Sequence, residues 1–214
     1  MKRNIFSILL TGMMVVMLWS CTTLPENEQE LQTYVADPSN GVSKQKQSGG
    51  LDFTVTFRPT DLLVAQTLDG DLEAAKVSSL RKQYGSYAYF VLEMKAEGRD
   101  VLYGTAADQA HFNEALQTLS FRMGDYVTLT TANRDTIPVA DYTYARTFGM
   151  ARQTSLLFAF NKEQFQGQEW VSFNLNEFGL RAGDQRFRFK VSDLESVPHI
   201  PFELQNVNQE LSAK

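Results

Sequence analysis

Apolar and polar residues begin to alternate cleanly at residue 51. Leu51, Phe53, Val55 and Phe57 fall on one side of an extended chain, and Asp52, Thr54, Thr56 and Arg58 on the other. A period of two marks a strand with one wet face, and Pro59 closes it. Residues 87–95 form an almost unbroken apolar run, the pattern of a strand near the middle of a sheet. Further short strands are predicted over 101–103, 126–131, 142–148, 156–160, 170–175, 187–191 and 202–207. Turn formers such as Asn133-Arg134-Asp135, Phe165-Gln166-Gly167 and Ala182-Gly183-Asp184 separate them. Two segments carry helical spacing instead. Residues 71–83 hold a thin stripe of Leu72, Ala75, Ser79 and Leu80, with Gly85 as the stop. Asp108 caps a second helix whose Phe112, Ala115, Leu116 and Leu119 share one face. The pattern predicts a mainly β chain: an antiparallel β-sandwich or barrel-like domain with two short helices, over residues 51–214.

The N-terminal fifty residues follow a different logic. Lys2 and Arg3 precede an apolar stretch over residues 5–18, interrupted by Ser7, Thr11 and Gly12. Its length suits the apolar core of a signal peptide and falls short of the roughly 20 residues that span a bilayer. Residues 22–50 are polar, with turn formers from Asp37 to Gly41 and a run ending in Ser48-Gly49-Gly50. Low hydrophobicity without sustained periodicity predicts a flexible tether with one helical turn near residues 28–34. The chain is thereby divided into a signal peptide (1–20), a tether (21–50) and a single β-rich domain (51–214).

Composition sharpens the picture in three places. Fifteen Phe and eight Tyr favour pleated, half-buried surfaces. The formal charge is −5, and removal of Lys2 and Arg3 with the leader leaves eighteen basic against twenty-five acidic residues, or −7. A general nucleic-acid binder carries the opposite surplus, so nucleic acid is not expected as a partner. The chain has one cysteine, Cys21, so the fold stands without disulfides even in an oxidising compartment.

That cysteine lies in Leu18-Trp19-Ser20-Cys21, which resembles the lipobox of bacterial lipoproteins and departs from it only at Trp19. The resemblance implies a diacylglyceryl group on the Cys21 thiol, cleavage before it, and a place in the bacterial cell envelope, at the outer membrane. The membrane would then be reached through a covalent lipid anchor, which needs about two acyl chains to be stable. The body of the chain, through Phe57-Arg58-Pro59, Tyr142-Thr143-Tyr144, Phe158-Ala159-Phe160 and Phe187-Arg188-Phe189, is similar to uncharacterised Bacteroidota envelope lipoproteins. This second resemblance implies an address and no chemistry.

Candidate chemistry is sparse. His111 and His199 lack a second histidine at ligand spacing, and no serine sits in a nucleophile motif. Asp69-Gly70-Asp71 with Glu73 resembles part of a calcium loop, but the remaining ligands are missing and an acidic helix start accounts for it. Carboxylates such as Asp61, Glu93, Glu97, Glu169 and Glu195 are scattered. Neither metal nor cofactor is expected. Arg186, Arg188 and Lys190, with Arg181 nearby, place cations on one face of a strand. Such a row docks anionic head groups, acidic glycans or an acidic partner, or else protects a solvated edge. Tyr142, Tyr144 and Trp170 are candidates for stacking on sugars, or for core filling. The expectation is a non-enzymatic, lipid-anchored binding or assembly component with a protein partner in the envelope. Its rivals are a glycan-binding accessory protein and an envelope hydrolase.

Overall fold

A computed structural model of the chain describes residues 25–68, 72–105, 108–147 and 151–202. Its strands are β1 (Ser43–Ser48), β2 (Leu51–Arg58), β3 (Tyr87–Ala96), β4 (Val127–Thr131), β5 (Thr136–Pro138), β6 (Asp141–Tyr144), β7 (Thr154–Asn161), β8 (Trp170–Leu175) and β9 (Gln185–Lys190). Its α-helices are α1 (Glu28–Ala36), α2 (Thr60–Leu68), α3 (Ala74–Gly85), α4 (Gln109–Phe121), α5 (Met123–Tyr126) and α6 (Val191–Glu195). The strands form two antiparallel sheets, one ordered β1-β2-β3-β7-β6 and the other β5-β4-β8-β9. Neither closes into a barrel.

The inner faces of the sheets meet through phenylalanines. Phe90 of β3 lies 5.9 Å from Phe173 of β8 and 5.3 Å from Phe189 of β9, ring centre to ring centre. Phe158 and Phe160 of β7 approach Phe173 from the same side, at 5.8 and 6.2 Å. Tilted and edge-on pairs at these separations add to the burial of the rings themselves. The predicted alternation is therefore real: Leu51, Phe53 and Val55 are buried, as are Phe187 and Phe189. The apolar run at 87–95 is the middle strand of the five-stranded sheet.

Six helices stand among the described residues where periodicity predicts two. The reading of residues 21–50 as a tether is corrected over most of its described part. Asn27 caps α1, accepting from the Glu30 N–H at 2.9 Å, and Leu31 and Val35 dock the helix on the core. Ser43–Ser48 then pairs with β2 in full register, Ser43 opposite Thr56 and Ser48 opposite Leu51. Gly49 and Gly50, with φ of +58° and +78°, make the two-residue turn between them. A Cβ on Gly49 would come within 2.7 Å of the Ala182 backbone, so this turn also needs glycine for packing.

Other boundaries moved for local reasons. Residues 101–103, predicted as a strand, are part of a 3-10 turn, Val101–Thr105. The buried Asp100 carboxylate accepts the Leu102 N–H at 2.8 Å, and its carbonyl accepts the Tyr103 N–H at 3.0 Å, which curls the chain. The same carboxylate takes the hydroxyls of Thr154 and Thr147, each at 2.8 Å, so the strand at 142–148 ends early, at Tyr144. The predicted strand at 202–207 lies outside the described residues beyond Phe202.

One pole of the sandwich is locked by Asp61. Arg81 of α3 donates through Nε and Nη2 to its two oxygens at 2.8 Å, and the Ile200 N–H donates to Oδ2 at 2.8 Å. Arg81 also donates to the Ile200 carbonyl at 2.8 Å and lies over the Phe202 ring. A carboxylate this deeply buried is tolerated because it is paired and hydrogen-bonded.

Candidate functional site

Four of the sequence candidates, Arg186, Arg188, Lys190 and Trp170, meet on the outer face of the four-stranded sheet. Alternation turns Val171, Phe173 and Leu175 of β8 inward and leaves Trp170, Ser172 and Asn174 outward. On β9 the buried residues are Gln185, Phe187 and Phe189, and the exposed ones Arg186, Arg188 and Lys190. Register then aligns these side chains into rows. Thr128, Asn174 and Arg186 stand side by side, as do Thr130, Ser172 and Arg188, and Trp170 is opposite Lys190. Cross-strand neighbours on one face are close enough to act together.

Three hydrogen bonds and one cation–π contact order this grid. The Asn174 amide donates to Thr130 Oγ1 at 2.8 Å and to Thr128 Oγ1 at 3.5 Å, and the Ser172 hydroxyl donates to Asn174 Oδ1 at 3.0 Å. The Arg188 guanidinium lies 4.0 Å from the centre of the Trp170 ring. This diagonal cation–π contact holds a long side chain in place while leaving its N–H edge available. Arg134, in the β4–β5 turn with a left-handed φ of +72°, joins from the other side. The result is an open groove of about 440 Å³ lined by Arg134, Arg186, Arg188, Trp170, Asn174 and Thr130 among others. Among the described residues, no carboxylate stands within ion-pair distance of Arg134, Arg186, Arg188 or Lys190.

The end of the groove is shaped by the loop joining β8 to β9. Asp184, which borders the groove, accepts the Glu177 N–H at 3.0 Å. The Glu177 carboxylate in turn gathers the backbone N–H groups of Gly179 (2.8 Å), Arg181 (2.9 Å) and Gly183. Partial burial pushes the Glu177 pKa up, but the backbone donors from Gly183, Arg181, Gly179 and Ala182 together outweigh it and hold the carboxyl below its usual range. A depressed folded pKa contributes stability above the unfolded value, and that contribution is lost as pH falls through the folded value. Stability should therefore decline below about pH 4.3, and Glu177→Gln should flatten that part of the curve. At neutral pH the same change should cost about 1 kcal/mol, small because the loop is largely solvated. Urea unfolding of both proteins between about pH 3 and pH 7 measures the difference.

The remaining candidates lie elsewhere. Arg181 belongs to the loop, faces away from the row on β9 and packs its backbone near Gly49. Tyr142 and Tyr144 are on β6, turned toward the core rather than to solvent. Tyr142 stacks on Phe158 at 5.6 Å, and its hydroxyl accepts the Met123 N–H. The Tyr144 hydroxyl is buried with no hydrogen-bond partner among the described residues, and its pKa is pushed up to about 12 by burial and then by the nearby Asp100 charge. These two tyrosines offer no sugar platform.

His111 lines a second cleft of about 520 Å³, between α4 and the loop that holds Phe178 and Leu180. Its Nδ1 is 3.0 Å from Asp108 Oδ2, while Asp108 Oδ1 caps α4 by accepting from the Ala110 and His111 N–H groups. The described lining places no Ser, Thr or Cys beside this pair. His199 stands exposed beside Asp61, at 3.3 Å. Asp69-Gly70-Asp71 lies outside the described residues, as does Cys21. Among the described residues, no group of three or more acidic, His or Cys side chains is gathered for a metal, and no helix is long and apolar enough to cross a membrane.

Sequence reasoning had no reason to select Arg134, Asn174, Ser172, Thr128 and Thr130. Their signal is the choice of hydroxyl and amide residues at the outward positions of β4 and β8, visible once the strands are paired. No family model matches the chain, and no curated protein matches it. A solved structure of a protein of unknown function from Burkholderia pseudomallei K96243 is similar over 79% of this chain and 88% of that one, with 8% identity and a TM-score of 0.38.

Proposed function

We propose that this chain is a lipid-anchored, non-enzymatic binding component of the bacterial cell envelope, held at the outer membrane through Cys21, and that the groove on its four-stranded sheet is the recognition surface. The observation that carries this reading is the set of cations around Trp170, ordered by the sheet and, among the described residues, without a carboxylate at ion-pair distance in an acidic protein. Side chains placed this way recognise an anion without needing to move.

The anchor and the folded body also fit together in scale. Pro25 is already buried in the body, and four residues of chain from Cys21 reach at most about 15 Å. Acylation of Cys21 would thus hold the domain against the bilayer surface and raise its effective concentration for partners there. Crosslinking in native membranes, comparing the natural chain with Arg186→Glu/Arg188→Glu, tests the surface. Loss of the crosslinked partner in the charge-reversed protein is the expected result. An unchanged crosslinking pattern would remove the groove from the proposal.

A further inference from the structure

We infer, building on the proposed recognition surface, that the groove binds an acidic polysaccharide, a chain of sugars bearing carboxylate groups. The first support is charge. Arg134, Arg186 and Arg188 converge on one groove, outnumbering the one carboxylate of its described lining, Asp184, and Lys190 continues the row, although the chain as a whole is acidic. Outward neighbours along a strand lie roughly 7 Å apart. Cations at that spacing repel one another unless a ligand brings negative charge between them.

The second support is hydrogen-bond polarity. Because the Asn174 amide donates to Thr130 at 2.8 Å and, at longer range, to Thr128 at 3.5 Å, the hydroxyl hydrogens of both threonines are left available for another acceptor. The groove thus offers mostly donors, two hydroxyls and the guanidinium edges, with Asp184 as the one carboxylate of its described lining. Arg188 is preorganised among them by its stack on Trp170. A surface of donors calls for an acceptor-rich ligand, and sugars carrying carboxylates supply ring oxygens, hydroxyl oxygens and carboxylate oxygens in series.

The third support is shape and composition. A small free anion is usually enclosed, whereas this groove is open along the sheet. A protein partner would be expected to insert aliphatic or aromatic anchors into a water-excluding centre. The described groove lining holds no aliphatic side chain, and the one aromatic residue in it is covered on one face by Arg188. An extended, hydrated, anionic chain suits it better.

The full-length protein, purified in a detergent without a sugar head group, is titrated with oligogalacturonate. Parallel titrations use a neutral glucan oligosaccharide, polyglutamate of similar charge, and phosphatidylglycerol vesicles. Oligogalacturonate should bind, and Arg186→Gln/Arg188→Gln should weaken it by about ten-fold or more, the loss of one or more charge-assisted hydrogen bonds. Both positions are exposed, so an unchanged melting temperature is expected alongside. Arg188→Lys should keep the charge yet lose part of the affinity, since lysine has no planar fork. No binding of oligogalacturonate, equal binding of polyglutamate or vesicles, or binding untouched by the Gln variants would each overturn the inference. Were crosslinking to a membrane partner to depend on Arg186 and Arg188 while oligogalacturonate failed to bind, the recognition surface would stand and the glycan would fall.

Discussion

Replacing Phe90 with alanine is expected to remove about 3–5 kcal/mol of stability, a large fraction of what a domain of this size possesses. The reason is its position rather than its residue type. Phe90 is fully buried and touches rings from both sheets: Phe57 and Phe160 on its own, Phe173 and Phe189 on the other. Alanine would open a cavity between two sheets held by their own hydrogen-bond ladders, and such walls collapse poorly. Phe121 on α4 makes the contrast. It is 71% exposed and meets only the Arg146 guanidinium among the ring and cation contacts described. Phe121→Ala should change stability by less than about 0.5 kcal/mol. Urea unfolding of both variants beside the natural protein checks the pair of values. A Phe90→Ala cost near that of Phe121→Ala would mean that the sheets do not share this core.

The same contrast explains what was legible before the fold was known. Strands that bury one face against the other sheet announce themselves, since Leu51, Phe53 and Val55, or Phe187 and Phe189, must alternate with polar residues. Helix α4 was legible because Asp108 caps it with its own side chain. Strand β1 was not, because Ser43–Ser48 is an edge strand of polar residues whose lysines protect the sheet margin. Its one signal, Gly49-Gly50 between two extended runs, reads equally as the end of a linker. Helix α2 was hidden behind Pro59, which ends β2 and also opens the helix by accepting the Leu62 N–H on its carbonyl. Asp61 looked like one scattered acid because its partners, Arg81 and Ile200, are 20 and 139 positions away.

The candidate site divides along the same line. Period two was enough to put Arg186, Arg188 and Lys190 on one face. It could not put Trp170 beside them, because that depends on the register of β8 against β9. The cation row and the aromatic candidate were therefore separate ideas in the sequence and one surface in the fold. Tyr142 and Tyr144 went the other way. The same i, i+2 spacing serves a core face or a wet face, and Phe158 claims Tyr142 for the core.

Cys21→Ser is expected to change both the mass and the address of the protein. The natural chain should lose residues 1–20 and begin at an acylated Cys21, whereas the serine variant, with no thiol to modify, should keep its leader. Each buried CH₂ of an acyl chain contributes about 0.8 kcal/mol, and two or three chains make release negligible. Hydrophobic anchoring of this kind is insensitive to salt. Attraction of the arginine groove to an anionic surface is instead screened over about 3 Å at 1 M salt. Membranes carrying the natural protein should therefore retain it through a 1 M salt wash, and mass spectrometry of the retained fraction should find the acyl groups on residue 21. Two results would count decisively against the anchor: release of the natural protein by salt, or a serine variant cut at the same bond and held to the same extent. Retention with the acyl mass in place would fix the distance argument as well. With Pro25 buried in the fold four residues from the anchor, the domain could then reach only what lies near the bilayer surface, and the groove would have to meet its ligand there.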